Sequence, residues 1–86
     1  MNDDSHEGVV AARRVFVGPN GAKVVATIYV PGAISEDDWR CAFDIQGLAL
    51  PVRSEGRGID SLQALTAAIS RVEPRSVRTM LERRRV

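Results

Sequence analysis

Two runs rich in β-branched residues, 9–17 and 22–30, flank Gly18-Pro19-Asn20-Gly21 and predict an antiparallel hairpin. Pro suits the first central position of a type I turn, Asn tolerates the second, and Gly supplies the left-handed residue of a three-residue loop with a bulge. That turn sets Phe16 opposite Val24, Arg14 opposite Ala26, Ala12 opposite Ile28 and Val10 opposite Val30. This face is apolar except for Arg14. The other face pairs Val17 with Lys23, Val15 with Val25, Arg13 with Thr27 and Ala11 with Tyr29, a mixture suited to solvent or to a partner.

Residues 31–37 read as a loop. A third strand, 38–46, alternates Trp39, Cys41, Phe43 and Ile45 with Arg40, Ala42, Asp44 and Gln46. Gly47 marks a turn, and Leu48, Leu50 and Val52 alternate in a fourth strand. Pro51 cannot donate a ladder hydrogen bond, which assigns that strand to a sheet edge. Residues 54–58, Ser-Glu-Gly-Arg-Gly, read as a flexible turn.

Asp60 is placed to cap a helix by accepting from the backbone of Gln63, with Gln63 reaching back to the cap. Leu62, Leu65, Ile69 and Val72 recur at helical spacing, and Ala68 keeps that stripe narrow. Pro74 ends or kinks the helix. A short segment follows, with Val77, Met80 and Leu81 on one side and arginines on the other. The expected fold is α+β: a four-stranded antiparallel β-meander with a C-terminal helix packed on one face (ββββα), plus a short basic helical extension. Residues 1–8 are expected to be a flexible acidic tail, 9–73 a single domain, and 74–86 the basic extension.

Composition narrows the function classes. In 86 residues, 44% are hydrophobic and 27% charged, the profile of an ordinary globular domain with one modest core. No stretch approaches the roughly 18 apolar residues of a membrane span, and the acidic start (Asp3, Asp4, Glu7) is unlike a basic signal peptide. One cysteine rules out an internal disulfide framework, and a cytoplasmic location is expected. The net charge is +1, and arginine outnumbers lysine eleven to one. Such a bias also follows from a GC-rich genome, so it does not by itself require guanidinium chemistry.

The run Asp38-Trp39-Arg40-Cys41-Ala42-Phe43-Asp44-Ile45-Gln46-Gly47, followed by Gly58-Ile59-Asp60-Ser61-Leu62-Gln63-Ala64-Leu65, resembles a family of small bacterial proteins classed as a domain of unknown function. Its members share a Trp-x-Cys strand and a Gly-(Val/Ile)-Asp-(Ser/Ala)-x-Gln-Ala-Leu helix start. The similarity spans residues 11–72, and the tail beyond looks longer and more basic than the family's usual ending. The resemblance implies a domain type and no activity.

No catalytic constellation stands out, so a non-enzymatic role with no cofactor and no metal is expected. Cys41 alternates with apolar residues and the sole histidine, His6, lies in the N-terminal tail, which favours a buried structural thiol over a nucleophile. Asp37, Asp38 and Asp44 lack a histidine partner or the spacing of a metal loop. Gly56-Arg57-Gly58 before a helix start is at most a weak anion site. Trp39 reads as a core plug. Two surfaces remain. Val15, Val25 and Tyr29 on the outer sheet face, with Val77, Met80 and Leu81 on the terminal segment, form a candidate protein interface for self-association into a homo-oligomer or for a different protein. The runner-up is nucleic-acid binding through Arg75, Arg78, Arg83, Arg84 and Arg85, which could neutralise phosphates but have no interleaved aromatic residue.

Overall fold

The computed structural model describes residues 9–18 and 21–84, with side chains as far as Thr79 in the last helix. The fold is α+β. A five-stranded antiparallel sheet comprises β1 (Val10–Val17), β2 (Lys23–Tyr29), β3 (Gly32–Ser35), β4 (Asp38–Gln46) and β5 (Val52–Gly58). Two helices follow, α1 (Ser61–Arg71) and α2 (Pro74–Arg84).

The first hairpin forms as its turn chemistry requires. Gly21 donates to the Gly18 carbonyl at 3.0 Å and Gly18 donates to the Ala22 carbonyl at 2.8 Å. Gly21 sits at φ +79°, where a side chain would be strained. From Val17–Lys23 to Ala12–Ile28 the register is the expected one. Beyond Ala12 an irregularity shifts it, so Tyr29 meets Val10 rather than Ala11, and Val30 donates to the Val9 carbonyl at 2.9 Å.

The segment 31–37 is not all loop. Gly32–Ser35 pairs with Asp38–Arg40 on the same edge of β4 that β2 occupies further along. Strands β2 and β3 thus act as one long strand broken at Pro31, which has no N–H to give. The β2–β4 ladder ends at Ile28–Phe43 and the β3–β4 ladder begins at Gly32–Arg40. In the gap, the Cys41 thiol donates to the Tyr29 carbonyl at 3.1 Å. Cys41 is fully buried, so its thiol supplies a donor to a carbonyl that the interrupted ladder leaves behind.

The fourth strand of the meander lies later than the expected 48–52. Gly47 to Pro51 form the connection, Leu50 is exposed, and the strand runs through the stretch expected to be a flexible turn. Among the described residues β5 pairs only with β4, so Pro51 does sit at the approach to a sheet edge. The reason lies in small residues at alternate positions. Gly56 and Gly58 face α1, whose backbone rests directly on them: a Cβ on Gly56 would fall 2.5 Å from the Ala68 nitrogen, and one on Gly58 2.6 Å from the Ala64 nitrogen. No other residue permits that approach.

This contact also rotates α1 away from its expected face. Ala64, Ala68 and Val72 are buried against the sheet, whereas Leu62 and Ile69 face outward and Leu65 packs at the margin. The core is Val24, Ala26, Ile28, Cys41, Phe43, Ile45 and Val52 from the sheet, closed by those helix residues and by Val77 of α2. Phe16, Trp39 and Leu48 flank it, so Trp39 is a half-buried border residue rather than the central plug. Arg71 covers the Phe43 ring, its guanidinium carbon 5.6 Å from the ring centre.

The helix start matches its signal. Asp60 accepts from the Gln63 backbone at 2.7 Å. Gln63 in return accepts from the Ile59 backbone at 2.8 Å, one residue before the cap itself.

Candidate functional site

Both helices lie on one side of the sheet, so among the described residues the opposite face is open. Strict alternation puts Arg13, Val15 and Val17 of β1 on that face, beside Lys23, Val25, Thr27 and Tyr29 of β2. Asp44 and Gln46 of β4 continue it, through the pairs Thr27–Asp44 and Val25–Gln46. Together these residues, Val17 aside, line a shallow depression of about 400 Å³.

The face has two unlike ends. Toward β5 it is closed by charge: Arg57 holds Asp38 at 2.8 Å and Glu55 at 3.2 Å, and Glu55 also meets Arg40 at 3.4 Å. Hydrogen bonding to Asp38 raises the pKa of Arg57 still further, so the guanidinium stays protonated throughout. At the centre, Tyr29 donates its hydroxyl proton to Asp44 at 2.6 Å. Asp44 and Thr27 are only 8% and 6% exposed although no described helix covers the face, because the neighbouring side chains crowd over them. Toward β1 the character changes. Val15 is 54% and Val17 74% exposed, next to the cations Arg13 and Lys23.

The edge of β1 adds a second feature. Among the described residues β1 pairs only with β2. Gly18 and Ala22 form a hydrogen-bonded pair at the turn; continuing the alternation, Phe16–Val24 and Arg14–Ala26 are also hydrogen-bonded pairs. The N–H and C=O groups of Arg13, Val15 and Val17 therefore point toward the open edge.

The candidate residues are thus divided. Val15, Val25 and Tyr29 do lie together on the open face. Val77 does not join them: it is 2% exposed and packs into the core near Phe16 and Val24, so no partner can reach it. The apolar side of α2 turns neither to the sheet's second face nor to a partner at Val77, because it closes the β1–β2 end of the helix-covered face, which periodicity alone does not reveal. Arg75 and Arg78 are exposed on α2. The side chains of Met80, Leu81, Arg83 and Arg84, together with Arg85, His6 and the expected acidic tail 1–8, lie outside the described residues.

The chemistry-bearing residues are separated. Asp38 is engaged with Arg57, Asp44 with Tyr29, and Asp60 with the helix cap. Among the described residues no three His, Cys, Asp or Glu side chains converge. Gly56-Arg57-Gly58 lies within β5, its glycines covered by α1, which leaves no cradle for an anion. Burial pushes the Cys41 thiol pKa up, the opposite of what an attacking thiolate needs. The residues that sequence reasoning missed are Arg13, Lys23 and Val17; their signal was present in the hairpin register, which places all three beside Val15 and Val25.

The architecture is that of a small α+β domain with one helix-covered and one open sheet face. The chain belongs to the family described as a domain of unknown function, DUF6968, whose model matches residues 11–81. That match includes most of α2 and runs past Val72, where the resemblance was expected to stop. Comparison with curated proteins and with solved structures gives no match. Among the described residues no helix is long and apolar enough to cross a membrane.

Proposed function

We propose that the domain is a non-enzymatic protein-interaction module working through the open sheet face and the adjoining β1 edge. The observation that carries this reading is the exposure of Val15 and Val17, side by side with Arg13 and Lys23, next to a strand edge whose backbone groups pair with no other described strand. Exposed apolar side chains rimmed by charge, beside a sheet edge, are features of surfaces that meet other proteins. The β5 edge is a poor alternative because Arg53, Glu55 and Arg57 guard it.

The test is purification of the tagged protein from the cells that make it, at low and high salt, beside a Val15→Glu, Val17→Glu double variant. A protein, either a second copy or a different chain, should persist through high salt with the wild type and be lost with the variant. Equal recovery with both proteins would overturn the reading.

A second reading rests on α2. Burial of Val77 leaves Arg75 and Arg78 turned outward on a basic helix, an arrangement able to neutralise phosphates. It predicts nucleic acid that co-purifies only at low salt, and a shallower salt dependence once Arg83, Arg84 and Arg85 are removed.

A further inference from the structure

We infer that the β1 edge takes up an acidic extended segment of a partner protein as an additional strand of the sheet. This inference rests on the protein-contact reading above and specifies the ligand. Three features of β1 point to it.

The first is geometric. Arg13, Val15 and Val17 direct their backbone groups to the open edge, which supplies a set of ladder partners that no other described strand fills.

The second is charge. β1 reads Val-Ala-Ala-Arg-Arg-Val-Phe-Val, with two consecutive cations and no acid. Consecutive residues of a strand point to opposite faces, so Arg13 and Arg14 place one guanidinium on each side of the edge. Among the described residues Arg14 meets the exposed Glu73, at 4.0 Å. Among the described residues no acidic side chain lies within ion-pair distance of Arg13. An incoming strand with two consecutive acids would meet both cations at once, one above the sheet and one below.

The third is the poor charge match with a second copy of β1. Antiparallel registers centred on Arg13 or Arg14 set that arginine against its own copy, which is destabilising, and the register centred on Val15 sets Arg14 against Phe16 and Arg13 against Val17, so neither cation gains an acid. The strand is therefore better matched to an acidic partner than to itself. Val15, Phe16 and Val17, following the arginines, call for apolar residues in the partner beside its acidic pair.

An antiparallel partner strand accordingly carries apolar residues opposite Val17, Phe16 and Val15, then acids opposite Arg14 and Arg13. The probe is a fluorescent peptide with Val-Ile-Val-Glu-Glu-Ala at its centre and Ser-Thr flanks, titrated into the full chain by anisotropy. N-methylation of the peptide at the residues opposite Val15 and Arg13 blocks the N–H groups that a ladder needs. It should weaken binding more than tenfold. An Arg13→Glu, Arg14→Glu double variant should lose the acidic peptide and gain a peptide with Lys-Lys in place of Glu-Glu, which also shows that the variant is folded.

Equal binding of the N-methylated peptide, of a scrambled peptide of the same composition or of a single-stranded oligonucleotide would overturn the inference, because charge alone would then explain it. No binding of the acidic peptide, or a dimer formed through β1, would overturn it as well. If a partner is lost with the Val15→Glu, Val17→Glu variant while the peptide fails, the interaction reading stands and strand addition falls; if neither is seen, both fall.

Discussion

Gly56→Ala tests the closest contact in the fold. A methyl group there would lie 2.5 Å from the Ala68 nitrogen, 2.7 Å from the Ala64 carbonyl oxygen and 2.9 Å from the Ala67 Cβ. Ordinary contact starts at 3.4 Å, so α1 must lift from β5 by about 1 Å, and such a gap forfeits a quarter to half of the dispersion attraction across it. The residues losing contact are Ala64, Ala68 and Val72, which are buried beneath the helix. Overpacking costs about 1–3 kcal/mol, and backbone obstacles on α1 place this site at the upper end. Restricting the unfolded chain returns about 0.4–1 kcal/mol. A net loss of about 2 kcal/mol remains, against a total of about 4–13 kcal/mol for a chain of this length. Urea unfolding followed by Trp39, the sole tryptophan, reads it directly. With a slope near 1 kcal/mol/M, the midpoint should fall by about 2 M. An unchanged or raised midpoint would mean that α1 does not rest on β5 through its backbone.

Three further outcomes follow from the same packing. Asp60→Ala removes the acceptor for the Gln63 N–H and should cost about 0.5–2 kcal/mol in the same urea assay; no change would mean that α1 starts elsewhere. Val77→Ala should cost about 2 kcal/mol, since two buried carbons are lost; a neutral result would place α2 outside the folded unit. Cys41 should resist alkylation at pH 8 until the protein unfolds, because burial favours its neutral thiol. With the folded-state pKa raised, the unfolded chain releases its thiol proton first. Its contribution to stability is then full below pH 9.0, the ordinary thiol value, and declines as pH rises above it. A cysteine-free variant with the same alkaline slope would contradict that assignment.

The hairpin was readable because its turn residues and alternation specify one register, and Phe16–Val24 through Ala12–Ile28 formed as expected. The β4 strand was readable for the same reason, since Trp39, Cys41, Phe43 and Ile45 can share only one face. The last strand is not where apolar alternation in residues 48–52 points. The actual cue in β5 is inverted: small residues, Ser54, Gly56 and Gly58, alternate with the charged Arg53, Glu55 and Arg57. Small size here reflects helix proximity rather than turn formation. The same inversion hides the helix face, because Leu62 and Ile69 look like core residues until the glycines show that Ala64 and Ala68 are what approach the sheet. For the site, Val15, Val25 and Tyr29 could be grouped from register alone. The burial of Val77 depends on where α2 folds back, which no local pattern encodes.

The central claim is that the open face beside β1 meets another protein, and photo-crosslinking reads it most directly. A benzophenone amino acid would replace Val15 on that face or, as a control, exposed Thr66 on α1, in the cells that make the protein. A discrete protein adduct from Val15 and none from Thr66 is the predicted result. No adduct from Val15, or the same adducts from both positions, would contradict the claim.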